Sequence, residues 1–194
     1  MNRVVAHVSR LAACAAVALA IAGQAPLPPR ATAGEPAPVP ARSGLDLARE
    51  AARPWADDAE LVYVENDEPL AAGGAAARWG YLFRSRSADA ARGYSVRDGR
   101  NVEAADLGFD FEAPPVAADW IDSDRALAAA DRAAADYCRK SGGRLATMLL
   151  VRGAFNERQP DGTTWTVVYV SDTAPSLMVV VDAARGEVVR TLKG

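Results

Sequence analysis

Five carboxylates lie close together within residues 110–124, and they are the first candidates for side chains with a chemical role. Carboxylate oxygens are the ligands that Ca²⁺ prefers, so the stretch is a candidate cation site. Its spacing lacks the D-x-[DN]-x-[DN]-G pattern of a calcium loop, and a solvated linker followed by a helix cap accounts for the same acids. We therefore assign no metal ligand and keep calcium binding as an alternative. The carboxylates are Asp110, Glu112, Asp119, Asp122 and Asp124.

Histidine and cysteine are nearly absent, which excludes the common catalytic sites. The single histidine, His7, lies in an N-terminal leader, as does Cys14, so that only Cys138 remains beyond it. Ser-His-Asp and Cys-His catalysis both need an imidazole, and zinc sites need several His or Cys ligands. We expect no catalytic residues, no cofactor and no enzymatic activity. Cys138 is predicted to be a small apolar residue on a helix face, and a redox-sensitive thiol is the alternative.

Residues 1–33 have the order of an export signal. Arg3 and Arg10 precede the apolar run 11–22 (LAACAAVALAIA), and small residues follow it. The run is shorter than the roughly 20 residues that a membrane-spanning helix needs. We therefore expect an exported protein, periplasmic or secreted, without a permanent membrane span.

The end of the leader leaves two cleavage sites open. Cleavage after Ala22 or after Ala33 fits the preference for small residues. Residues 11–14 (LAAC) match the lipobox motif of bacterial lipoproteins. However, Arg10 precedes Cys14 by only four residues, and the apolar run continues beyond that cysteine. A lipoprotein anchored through Cys14 is therefore not expected.

The charge balance argues against nucleic acid as a partner. The 22 Lys and Arg face 25 Asp and Glu, which gives a net charge of −3. Removal of residues 1–33 takes three arginines and no acid, so the exported chain carries 19 − 25 = −6. Nucleic-acid-binding domains are usually basic or carry a basic face. Half of the residues are hydrophobic, enough for an ordinary folded core.

The patterning indicates two halves of similar order, each a helix followed by strands. In the first half, a Pro-rich linker (34–44) leads to a helix (45–53) that Pro54 ends, and Asp98-Gly99 indicates a tight hairpin. In the second half, a linker (108–119) precedes a helix that ends near Lys140, and four strands follow. The predicted strands are 59–65 and 78–85, then 145–155, 165–171, 177–182 and 187–192.

A strand with a tryptophan as its first or second residue occurs once in each half. Trp79 aligns with Trp165, and at the same offset Ser85 aligns with Ser171. This correspondence favours an internal repeat. Trp79 and Trp165 are predicted to pack in a core, whereas Trp55, which follows a proline, is the best candidate among the tryptophans, Trp120 included, for an exposed contact with a partner.

Three segments of the second half resemble the PepSY-like domains of exported bacterial proteins. They are 120–124 (WIDSD) at the helix start, 165–169 (WTVVY) in a central strand and 180–188 (VVDAARGEV) near the end. The family includes propeptide modules that bind and inhibit thermolysin-like metalloproteases, and it has no catalytic residues to transfer. The first half resembles a shorter, diverged copy.

The expected fold is therefore α+β, with two PepSY-like modules, each a helix packed on an antiparallel β-meander. The modules would span 45–107 and 120–194. The resemblance implies an exported, non-enzymatic binding module that inhibits or chaperones an envelope or secreted protease. The alternative is an envelope protein of structural role that binds calcium or a small ligand. The residues leave the oligomeric state open.

Overall fold

The structure is a computed structural model that describes residues 37–108, 113–155 and 159–194. All of them belong to one compact unit, Glu35–Gly194. The order of elements is a helix, four strands, a second helix and four more strands. They are α1 (Leu45–Ala52), β1 (Glu60–Asn66), β2 (Arg78–Ser85), β3 (Ala90–Arg97), β4 (Arg100–Asp106), α2 (Ser123–Ser141), β5 (Arg144–Arg152), β6 (Thr163–Val170), β7 (Leu177–Asp182) and β8 (Val188–Lys193).

Local sequence signals account for the ends of these elements. Asp98 and Gly99 both have positive φ, 50° and 64°, in the two-residue turn between β3 and β4, as the twist of such hairpins requires. Asp122 caps α2, and its carboxylate accepts from the amide of Ser123 at 2.7 Å. Gly142 ends α2 in the left-handed region with φ 61°, a backbone conformation that glycine adopts without steric cost.

The eight strands form one antiparallel sheet in the order β4-β3-β2-β1-β5-β6-β7-β8. The two meanders join where β1 pairs with β5, with Tyr63 opposite Val151 and Glu65 opposite Leu149. The expected α+β arrangement of two PepSY-like modules, each with its own helix on its own meander, is therefore wrong. Pairing β1 with β5 satisfies backbone groups that each separate meander would leave at an edge.

Both helices lie on the same face of the sheet and share one hydrophobic core. The side chains of Trp79, Tyr81 and Phe83 on β2 and of Trp165 on β6 belong to a single buried cluster with apolar residues of α1 and α2. We call this face the helix face. The opposite face, here the second face, carries a smaller cluster of Val62, Leu82 and Ala91.

Two segments outside the helices and strands connect the halves. Val39 exchanges backbone hydrogen bonds with Ala76, and the amide of Ala41 donates to Ser123 Oγ at 3.1 Å. The amide of Val116 donates to the carbonyl of Leu61 at 2.8 Å. Parts of the stretches 34–44 and 108–119, both predicted as linkers, are thus hydrogen-bonded into the unit.

Candidate interaction site

Three of the four tryptophans are buried, and the fourth, Trp55, is half-buried. Trp79, Trp120 and Trp165 are each at most 3% exposed, and Trp55 is half-buried and packs against the shared core. The two indoles that the alignment pairs make matching hydrogen bonds. Trp79 Nε1 donates to the carbonyl of Val39 at 2.8 Å, and Trp165 Nε1 donates to that of Ile121 at 2.8 Å. These contacts assign both indoles to packing.

Cys138 packs against the core as a partly buried thiol without a disulfide partner among the described residues. Burial, together with the nearby carboxylate of Asp131, raises the pKa of the Cys138 thiol. A thiol with a raised pKa has little thiolate at neutral pH and is a weak nucleophile. This environment fits the predicted packing role better than the redox alternative.

The acidic stretch does not assemble into a cation site within the described residues. Asp110 and Glu112 lie outside them. Asp122 is engaged in capping, since its Oδ1 also accepts from the amide of Arg42 at 3.0 Å, and Asp119 and Asp124 are exposed. The described ranges contain no group of three or more His, Cys, Asp or Glu placed to hold a metal ion. The calcium alternative therefore gains no support from the fold.

A network of ion pairs lies on the second face. The guanidinium of Arg78 lies 3.7 Å from Asp67 and 3.7 Å from Glu103, while Arg97 lies 2.9 Å from Glu68. Ser95 Oγ donates to Asp67 Oδ2. Two arginines meet three acids in this network, so it has no surplus of positive charge with which to hold an anionic ligand.

The carboxyl of Glu65, next to this network, has a raised pKa. Tyr63 Oη donates to Glu65 Oε2 at 2.9 Å. Burial raises the pKa of Glu65 to about 7 despite that hydrogen bond, and the nearby Asp67 adds to the rise. Burial also raises the pKa of Asp67. These shifts bear on stability as a function of pH, and no reacting group lies beside them among the described residues.

β4 and β8 are the edge strands of the sheet. Among the described strands, each pairs with a neighbour on one side only. Every residue of β4 is exposed, and the strand mixes Arg100 with Glu103 and Asp106. β8 reads Val-Val-Arg-Thr-Leu-Lys and contains two basic residues and no acid. An edge of this kind is a template for a further strand.

Each edge also exposes one large apolar side chain. Val102 on β4 is 50% exposed and Val188 on β8 is 38% exposed. Short-range sequence patterns do not reveal which strands are edges, because strand order depends on the long-range pairing of β1 with β5.

None of the described helices is long and apolar enough to cross a membrane. Comparison with protein-family models, with curated proteins and with solved structures yields no match for this chain.

Proposed function

We propose that this protein is an exported, non-enzymatic binding module that pairs an extended segment of a partner protein with β8. The observation that carries the proposal is the character of this edge strand. Among the described strands it pairs with β7 alone, it exposes Val188, and it ends in Lys193 with no acid between these two residues. Added strands bind through backbone hydrogen bonds and gain specificity from alternating side chains.

The charges of β8 indicate the kind of segment that fits. A partner strand with aliphatic residues against Val188 and Leu192 and carboxylates near Lys193 would be complementary to β8. The mixed charges of β4 offer no such preference. The β8 edge therefore favours an acidic, aliphatic segment, and the resemblance to PepSY-like modules favours an envelope or secreted protease as its owner.

The test compares the two edges under matched substitutions. The exported protein, Val188→Glu and Val102→Glu would each be titrated into a thermolysin-like metalloprotease with a fluorogenic peptide substrate, and into the envelope and secreted proteases of the source organism. We expect the unmodified protein and Val102→Glu to inhibit one protease equally, and Val188→Glu to raise the inhibition constant at least tenfold, because its carboxylate repels an acidic strand.

Two results would overturn this proposal. Absence of inhibition and of complex formation with every protease tested would remove the protease as partner. Equal inhibition by Val188→Glu and the unmodified protein, or loss confined to Val102→Glu, would remove β8 as the site. Circular dichroism of all three proteins shows that the variants fold.

A further inference from the structure

The two helices differ in length, and the difference leaves a cavity on the helix face. α2 has 19 residues and α1 has 8, which correspond to lengths of about 28 Å and about 12 Å at the usual helical rise. α1 is short because Pro54 cannot continue it. In the second half, α2 extends over β6, where Tyr169 Oη donates to Asp131 Oδ1 at 2.6 Å. Phe83, which aligns with Tyr169, instead lines this cavity together with Arg49 and Ala52 of α1.

The cavity has a volume of about 330 Å³ and lies at the C-terminal end of α1. This volume is at the small end of the range of about 300–1,000 Å³ for small-molecule sites. Its apolar lining includes Leu61 and Phe83 from the sheet, Val116 from the segment that crosses toward α2, and Ala52, the last residue of α1.

Charges of both signs surround this apolar lining. The cavity is lined by the basic residues Arg49 and Arg53 and by the acidic residues Asp57 and Glu60. Arg49 pairs with Asp46 at 3.5 Å, and Glu60 pairs with Arg86 at 3.9 Å. Arg53 and Asp57 are exposed and have no ion-pair partner among the described residues, so one cation and one anion at this cavity are available to a ligand.

We propose that this cavity binds a small zwitterion with an apolar side chain, that is, an apolar α-amino acid. Its side chain would lie against Leu61, Phe83 and Val116, its carboxylate near Arg53 and its ammonium near Asp57. A simple anion would be repelled by Asp57 and Glu60. A simple amine would be repelled by Arg49 and Arg53.

The experiment is isothermal titration of the exported protein with three probes of matched shape. L-Leucine carries both charges, 4-methylpentanoate lacks the ammonium, and 3-methylbutylamine lacks the carboxylate. We expect saturable binding of leucine at one site, and binding of the other two at least about tenfold weaker, which corresponds to about 1.4 kcal/mol. No binding of leucine, or equal binding of either analogue, would overturn the proposal.

Substitutions at Arg53 and Asp57 test whether leucine binds in this cavity. Arg53→Ala and Asp57→Ala should each weaken leucine binding at least tenfold, because each removes one partner of the zwitterion. Both residues are exposed, so neither substitution threatens the core. Arg100→Ala, exposed on β4, is the matched control and should leave the affinity unchanged. Leucine binding that survives both cavity substitutions would place the site elsewhere. Protease inhibition is a separate readout, so failure of one proposal leaves the other intact.

Discussion

The indole rings of Trp79 and Trp165 meet edge to face, with 6.2 Å between their centroids and 73° between their planes. Trp79 belongs to β2 and Trp165 to β6, the strands that flank the central pair β1 and β5. The contact therefore bridges the two meanders. A core built around it should unfold as one unit.

Substitution of Trp165 should destabilise the whole protein. Trp165 is fully buried, and Trp165→Ala removes a large core side chain, which typically costs about 3–5 kcal/mol in the free energy of unfolding. Urea unfolding followed by circular dichroism should show one transition at a lower midpoint. Trp55→Ala, at a half-buried position, is the control and should cost less. Two separate transitions in either protein would contradict a shared core.

Glu65 should make the protein less stable as pH rises. Its pKa in the folded protein is about 7, above the ordinary value of 4.5, so the folded state favours the protonated carboxyl. The stabilisation is complete below about pH 4.5 and is lost as pH rises toward and through 7, by at most about 3 kcal/mol. Glu65→Gln should flatten this dependence between pH 5 and 8 and raise the melting temperature at pH 8.

The control for Glu65 is Glu50→Gln, at an exposed position on α1. Thermal melts of the two variants and the unmodified protein would be compared at half-unit steps of pH. A Glu65→Gln protein that keeps the full pH dependence would show that the carboxyl is ionised in the folded protein at neutral pH.

Asp58 should have the opposite pH dependence. Its carboxylate accepts from the hydroxyls of Ser85 and Ser87 at 2.6 and 2.9 Å and from the amides of Arg86 and Ser87. The bonds from Ser85 and Ser87 lower the pKa of Asp58 to about 2 from the ordinary 3.8. The stabilisation is present above about pH 3.8 and is lost as pH falls through 2.

Replacement of Asp58 by alanine should loosen the connection between β2 and β3. Hydrogen exchange at the amides of Arg86 and Ser87 should become faster at pH 7, while exchange in the β5–β8 meander stays unchanged. Asp89→Ala is a useful comparison, because Asp89 is in the same connection but bonds to Arg84 instead. Unchanged exchange at Arg86 and Ser87 would contradict this role of Asp58.

Substitution by alanine should affect the stability differently at two glycines on the second face, Gly80 and Gly93. A Cβ at Gly80 would lie 2.6 Å from Asp67 Oδ1, whereas a Cβ at Gly93 would have its nearest neighbour, the carbonyl of Ala105, at 3.8 Å. Asp67 cannot move aside without losing its contacts to Ser95 and Arg78.

Gly80→Ala should therefore reduce the free energy of unfolding by about 1–3 kcal/mol. Gly93→Ala should be neutral or slightly stabilising, since alanine loses less conformational entropy than glycine in a strand. Chemical denaturation of both variants at pH 7 measures the difference. Equal stabilities would mean that Asp67 is not held in its position above Gly80.

Short-range patterns predicted the position of most individual elements, although the predicted strand 145–155 extends past β5, which ends at Arg152. The alternation at 78–85 predicts β2 at its observed bounds, Asp98-Gly99 marks the hairpin, and the Asp122 cap and Gly142 bracket α2. Each of these signals acts within a few residues, through backbone sterics or a local hydrogen bond. The order of strands within each meander follows from the short connections between them.

The arrangement of the two halves was decided only by the tertiary structure. The pairing of Tyr63 with Val151 joins residues far apart in the chain, and no local preference encodes it; it forms because two strand edges and a shared apolar face are buried together. The same holds for the cavity beside Arg53 and Asp57. Pro54 predicts where α1 ends. The space at that end exists only because the sheet extends past the helix.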